Sequence, residues 1–336
     1  MIRARAVALT ALATLLLGAM PALAAAPSRE SDEQRALQLL QAAARAGSSM
    51  TYAGTQETAA WRGATAGSWR AVVSHDPTRG SVVDADRPLA DTAVLDPRLL
   101  VLLASTYDLA VTGAGHCAGR ASQVVTAARS DGSVAGRFWI DRASGLLLRR
   151  EVLDEQGGRL RDSAFVSLSV GRSGSTTPTL PPGRLPGLPS ASTVTELRAR
   201  GWQVPTTLAG GFRLFDTSLT TVRPGQDVLH LAYSDGLSTA SLFAQTGRLG
   251  TAPVAGFAPE TVGGRQVWVH DATPERVVWA GENRVWTMVS DAPSPAVRAA
   301  VAALPGLAAP DVDDGGLLAR FGRGVARLLG MLNPFD

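Results

Sequence analysis

The sequence predicts an α+β protein: an antiparallel sheet wrapped around helices, followed by a smaller antiparallel sheet domain with its own helices. Three observations carry this. Between residues 107 and 170, strand-like runs alternate with tight turns at Ser130-Asp131-Gly132, Ala143-Ser144-Gly145 and Glu155-Gln156-Gly157-Gly158. Only antiparallel neighbours can use connections that short. A second β-rich stretch is centred on Asp235-Gly236, flanked by apolar, β-branched and aromatic runs, the strongest short-range hairpin signal. Between the two lie residues 172–190, with Pro178, Pro181, Pro182, Pro186 and Pro189 among Gly, Ser and Thr. Such a composition buries little surface and favours a semi-extended linker.

The elements follow in order. Ser31-Asp32-Glu33-Gln34 reads as a capping box opening an amphipathic helix, with Ala36, Leu37, Leu40 and Ala44 on one face and an end near Gly47. Strands are predicted over 50–56, 68–75 and 81–85, the last two joined by a turn at Asp76-Pro77-Thr78-Arg79-Gly80. Asp96-Pro97 starts a short helix through Leu99, Leu100, Leu102 and Leu103, with proline at its first position. The meander is predicted as strands over 109–112, 120–129, 134–141, 146–153 and 160–168. After the linker come a helix over 192–200 and a strand over 212–217. The Asp-Gly hairpin follows, then strands over 266–270, 275–280 and 284–290, and a helix beginning at Ser294-Pro295. The predicted domains are 28–170 and 191–306.

Both ends read as separate segments. Arg3 and Arg5 precede an apolar stretch over 6–20, and Ala22-Leu23-Ala24 fits a small-residue cleavage site, so residues 1–24 read as a secretory signal. The stretch is short for a membrane span, though an uncleaved anchor is the alternative. Arg3-Ala4-Arg5 is not a twin-arginine pair, so Sec export to a periplasmic or other extracytoplasmic space is expected. At the other end, within 311–336, Leu317, Leu318, Phe321, Val325, Leu328, Leu329 and Leu332 recur at helical spacing with Arg320, Arg323 and Arg327 between them. That suits a basic amphipathic helix at a membrane surface or partner groove. Packing on its own domain is the alternative reading.

Composition excludes several classes of function. The formal charge is +3, and without Arg3 and Arg5 the basic and acidic residues nearly balance, which leaves no basic footprint for nucleic acid. Every basic residue other than histidine is arginine, so lysine Schiff-base chemistry is excluded. The sole cysteine, Cys117, makes no internal disulfide and lies far from any lipidation site. The four histidines, His75, His116, His230 and His270, form no ligand pair, and no metal or cofactor is expected. His116 and Cys117 are adjacent, most simply in a loop before the strand at Arg120; were they in a strand they would face opposite ways. Ser234 and Asp235 lie near His230, but the turn accounts for the Asp and the Gly. There is no G-x-S-x-G elbow and no phosphate-cradling loop. No catalytic residue is assigned, and the protein is expected not to be an enzyme. Trp61, Trp69, Leu102 and Trp139 are candidates to line an apolar hollow on the concave side of the first sheet, against the plainer reading of core packing.

Two sets of motifs carry a resemblance. Cys117-Ala118-Gly119-Arg120 is followed by Arg137-Phe138-Trp139-Ile140-Asp141-Arg142-Ala143-Ser144-Gly145-Leu146-Leu147-Leu148-Arg149 and Asp154-Glu155-Gln156-Gly157. Pro205, Gly211-Phe212 and the stretch from Tyr233-Ser234-Asp235-Gly236-Leu237-Ser238 to Phe243 follow in the second domain. In this order they resemble the RseB/MucB family of extracytoplasmic sigma-factor regulators over most of 31–304; the tail lies outside the match, and Cys117 departs from it. The resemblance implies an incomplete β-barrel like that of LolA-type lipoprotein carriers, then a smaller sheet domain. It implies binding to the extracytoplasmic part of a transmembrane anti-sigma factor, protection of that factor from proteolysis, and release by a lipid or lipoprotein ligand. The hairpin turn, Tyr233, Asp235, Gly236 and Leu237, is the candidate partner-binding edge. A lipid or lipoprotein carrier using only the first domain's hollow is the alternative, and a hydrolase a distant third.

Overall fold

The computed structural model describes residues 29–63, 65–85, 95–171, 191–223, 226–247, 249, 256–281 and 284–304. The signal, linker and tail expectations lie outside them. The elements in order are α1 (Arg29–Ser49), β1 (Tyr52–Arg62), β2 (Thr65–Asp76), β3 (Gly80–Ala85), α2 (Pro97–Thr106), β4 (Asp108–Cys117), β5 (Arg120–Ala128), β6 (Val134–Asp141), β7 (Leu147–Leu153) and β8 (Arg159–Val170). Then come α3 (Ala191–Ala199), β9 (Arg213–Arg223), β10 (Gln226–Ser234), β11 (Thr239–Thr246), β12 (Ala258–Val262), β13 (Arg265–His270), β14 (Glu275–Gly281), β15 (Arg284–Ser290) and α4 (Ser294–Ala303).

The strands form two antiparallel sheets. The first has eight strands in the order β3-β2-β1-β8-β7-β6-β5-β4, and the second has seven in the order β12-β13-β14-β15-β11-β10-β9. The first is the curled, half-barrel sheet with helices that the sequence predicts. Its meander β4 to β8 is sequential, and β1 closes onto β8.

Register defines the inner face of the first sheet. One transverse row runs Trp69, Thr58, Ser163, Arg150, Phe138, Val125, Val111. The next runs Ala60, Arg161, Val152, Gly136, Ala127. Against this face lies α1, which buries Ala36, Leu40, Ala43 and Ala44 at the 3–4-residue spacing of one helical stripe. α2 begins where Asp96 accepts the Arg98 amide at 2.8 Å, with Pro97 supplying the preset first turn. It presents two faces. Leu100 and Leu103 join the core of the first sheet, while Leu102 packs with Phe215 and Ala232 of the second.

The second sheet builds its core on the face of Leu229, Leu231, Tyr233, Leu242, Trp279, Trp286 and Met288, covered by α3 and α4 through Val194, Leu197, Val297, Ala300 and Val301.

Several details differ from the sequence reading, among them β9, which runs on to Arg223 past the predicted end at residue 217. β1 runs on to Arg62, past the predicted end at Gln56, because β2 and β8 pair with it on both sides along a polar, alanine-rich stretch. β4 extends to Cys117, so His116 and Cys117 lie in a strand rather than a loop. β12 was not predicted; it contains Pro259, which is tolerated because β12 is an edge strand.

Candidate binding surface at the joint of the two sheets

The tip of the β10–β11 hairpin is buried against the first sheet. Its geometry is set locally: Asp235 Oδ1 accepts the amides of Leu237 at 2.8 Å and Ser238 at 2.6 Å, and Ser234 Oγ accepts the Gly236 amide at 2.9 Å while donating to Ser238 O at 2.7 Å. Gly236 has φ +96°, and a Cβ there would stand 2.4 Å from the backbone N and Cα of Leu103. Only glycine lets the turn approach α2 this closely.

The first sheet grips the tip. Arg150 Nη2 donates to Leu237 O at 2.5 Å and Arg161 Nη2 to the same oxygen at 3.2 Å. The Leu237 side chain, 2% exposed, joins the apolar cluster of Leu103, Phe138 and Val152. Gly136 makes room for it, since a Cβ at Gly136 would lie 2.8 Å from Leu237 Cδ2. Tyr107 donates its hydroxyl to Asp235 Oδ2 at 2.7 Å. Burial pushes the Asp235 carboxyl above its ordinary range, against the opposing pull of its hydrogen bonds from Ser238, Tyr107 and Leu237. Burial likewise raises the Tyr107 phenol, and the Asp235 charge adds to it.

Ion pairs flank the tip. Arg161 pairs with Asp291, whose other oxygen accepts the Thr239 amide at 2.7 Å. Arg62, at the end of β1, donates to Glu275 Oε2 at 3.0 Å, Ser294 Oγ at 2.6 Å and Ala292 O at 3.2 Å. Glu275 is fully buried, and Arg298 holds its other oxygen at 2.6 Å. The joint is thus apolar at its centre and charged at its rim, the anatomy of a specific interface.

The four residues expected to line one hollow are not brought together. Trp69 is half-buried on the inner face, beside Thr58. Trp139 is on the opposite face from Phe138, with the Arg149 guanidinium 4.4 Å over its ring. Trp61 alternates with buried Ala60 and so lies outside, under Arg159 at 5.5 Å, in an open cleft of about 410 Å³ with Gly63, Asp154, Gly158 and Leu160. Leu102 belongs to the joint. Two-residue alternation along the strands separates them. The hairpin residues Tyr233, Asp235, Gly236 and Leu237 are all buried, so the turn faces the first sheet rather than solvent. Sequence reasoning missed Arg150, Arg161, Gly136 and Tyr107, because only strand register places them under the tip.

No catalytic constellation forms around the residues weighed for chemistry. His116 is exposed, while Cys117 is half-buried with Sγ 3.5 Å from Leu148 O and from Phe165 O, and burial pushes its thiol up. Ser234 is committed to the turn, and His230 stacks on Phe243 at 4.5 Å. Among the described residues no group of three or more His, Cys, Asp or Glu is placed to hold a metal, and no helix is long and apolar enough to cross a membrane.

A curled half-barrel sheet with helices on its inner face, joined to a second antiparallel sheet, is the fold that carries this joint. Residues 44–187 match the family model described as the MucB/RseB N-terminal domain. Among solved structures, MucB in complex with MucA(peri) is 24% identical over 79% of this chain and 97% of that one, with a TM-score of 0.45. The Pseudomonas aeruginosa MucA/MucB complex is 22% identical over the same shares, also at 0.45. A LolA superfamily protein from Nitrosomonas europaea is 10% identical over 43% of this chain and 94% of its own, at 0.19. No curated protein matches the sequence.

Proposed function

We propose that this protein is an exported regulator that binds the extracytoplasmic part of a transmembrane anti-sigma factor and controls that factor's proteolysis. The observation that carries the reading is the MucB/RseB match over residues 44–187; a MucB protein has been seen bound to MucA(peri). The amino-terminal signal supports an extracytoplasmic location. A lipid or lipoprotein ligand enters as the release signal, since a ligand weakens a partner only by favouring an arrangement the partner binds less well. The carrier alternative asks for an open hollow on the inner face of the first sheet, and there the hairpin tip is already seated.

The test is direct. The purified protein is mixed with the extracytoplasmic segment of each anti-sigma factor from the native host and the mixtures are resolved by size-exclusion chromatography. A stoichiometric complex with one segment, and slower cleavage of that segment by the host's extracytoplasmic proteases, are expected. Absence of any complex overturns the proposal.

A further inference from the structure

The second sheet is covered on both faces. One face carries α3 and α4. Register defines the other: a row of Ser218, His230, Phe243, Thr287, Val278 and Trp268 crosses the sheet from β9 to β13. His230 and Phe243 are each 5% exposed, and Thr287 and Val278 1%. Two residues along their strands, Val228, Val285 and Val289 are buried on the same side. Among the described residues, α2 reaches this face through Leu99 and Leu102, at Phe215 and Ala232, toward the hairpin tip. The cluster of Val228, Phe243 and Val289 has no apolar neighbour from any other described element.

The cover is apolar. His230 Nε2 and Thr287 Oγ1 are buried on this face without a hydrogen-bond partner. A loop laid across them would bring backbone donors and acceptors, which buried polar groups ordinarily find; an apolar side-chain surface brings none. The stretch 317–332 carries such a surface. At about 100° per residue its leucines, with Phe321 and Val325, fall within an arc of about 120°, and Arg320, Arg323 and Arg327 fall on the opposite side. As a helix it would be about 24 Å long, enough to cross β10, β11, β15 and β14 at about 4.8 Å spacing. The described chain ends within reach. Arg265 Nη2 donates to Leu304 O at 2.8 Å, and a Cβ at Gly263 would stand 3.0 Å from Ala302, so α4 finishes at the β12–β13 turn on the edge of the sheet. Residues 305–316 can span up to about 40 Å. The path round β12 onto the other face is roughly 20 Å, two strand spacings and the thickness of one layer.

We propose that the segment 311–336 is the cover of this face: its apolar stripe lies on Phe243, Val278 and Val289, with its arginines turned to solvent. The second sheet is then a layer between α3 and α4 on one side and the tail on the other. A docked stripe is withheld from any lipid surface or partner groove. The inference stands apart from the partner binding proposed above.

The full chain is treated with diethylpyrocarbonate near neutral pH, and histidine modification is read by mass spectrometry. Exposed His116 is the reference, and buried His75 of the first sheet reports any loss of the whole fold. In the unaltered protein His116 is expected to react and His230 to stay unmodified. In Phe321→Asp combined with Leu328→Asp, and in a chain ending at residue 310, modification of His230 is expected to rise about tenfold or more with His75 still protected, because opening of that face then costs little. His230 reactive in the unaltered protein, or protected in both variants, overturns the proposal. Should His75 react in the variants too, the tail is located directly by a photo-crosslinker, p-benzoylphenylalanine, placed at Phe321 of the full chain. Crosslinks to β10, β11, β14 or β15 are expected; crosslinks elsewhere, or none, overturn the proposal.

Discussion

The Tyr107 hydroxyl donates to Asp235 Oδ2 at 2.7 Å, tying the start of β4 to the tip of the β10–β11 hairpin. The acceptor is buried and otherwise bonded only to its own turn. Tyr107→Phe removes a donor to a buried carboxyl group and is expected to destabilise the protein by about 1.5–3 kcal/mol. Urea unfolding followed by circular dichroism measures it; an unchanged midpoint would show that the contact contributes nothing.

Gly236→Ala places a methyl group 2.4 Å from Leu103 backbone atoms at φ +96°. Left-handed strain and overpacking together predict a loss of about 2–4 kcal/mol. At Gly136 the added methyl meets the end of the flexible Leu237 side chain instead, with Glu151 O at 3.2 Å. Gly136→Ala is expected to cost less, about 1–2 kcal/mol. Thermal melts of the two variants should preserve that order.

Arg62→Ala deprives the fully buried Glu275 of one of its two cations. Breaking a buried pair usually costs about 3–5 kcal/mol, and with Arg298 still in place about 2–3 kcal/mol is expected. Glu275→Gln, which keeps the shape and removes the charge, leaves two guanidiniums facing one another and should be destabilising too. A double-mutant cycle on Arg62 and Glu275 reads their coupling.

Burial lowers the pKa of His230 to about 4. Between pH 6.5 and that value the unfolded chain binds the proton and the folded one does not, so stability falls as the pH drops through this window. The shift corresponds to about 3 kcal/mol. Asp235 acts in the opposite sense: its raised carboxyl contributes stability that is lost as pH rises through its folded value. Comparison with His230→Phe, which keeps a ring on Phe243, isolates the histidine. The variant's stability relative to the unaltered protein should rise steadily from pH 6.5 to 4.

Local chemistry made much of the fold legible before the structure. Asp96-Pro97 announces α2, and Asp235-Gly236 announces its hairpin, because capping and turn formation involve neighbours in sequence. The same Asp-Gly pair carries no sign that its tip would be buried against strands whose gripping arginines lie 76 and 87 positions from Leu237, since that depends on the placement of one sheet against another. The tryptophans show the limit most clearly. Trp61 and Trp139 look like Trp69 in composition, yet alternation along each strand sends them to the other side of the sheet. Gly136 sits in an ordinary strand pattern, and nothing local marks it as the position that admits Leu237. Nothing in the sequence announced β12, whose Pro259 is tolerated because the strand lies at an edge.

The absence of lysine bears on how the joined elements are held at fixed angles. Arg62, Arg150, Arg161 and Arg298 all bring planar, forked guanidiniums, which can grip two acceptors at once. Arg62 reaches Glu275, Ser294 and Ala292 O, and Arg298 reaches Glu260 and Glu275, so each fork fixes an orientation as well as a distance between the elements it joins.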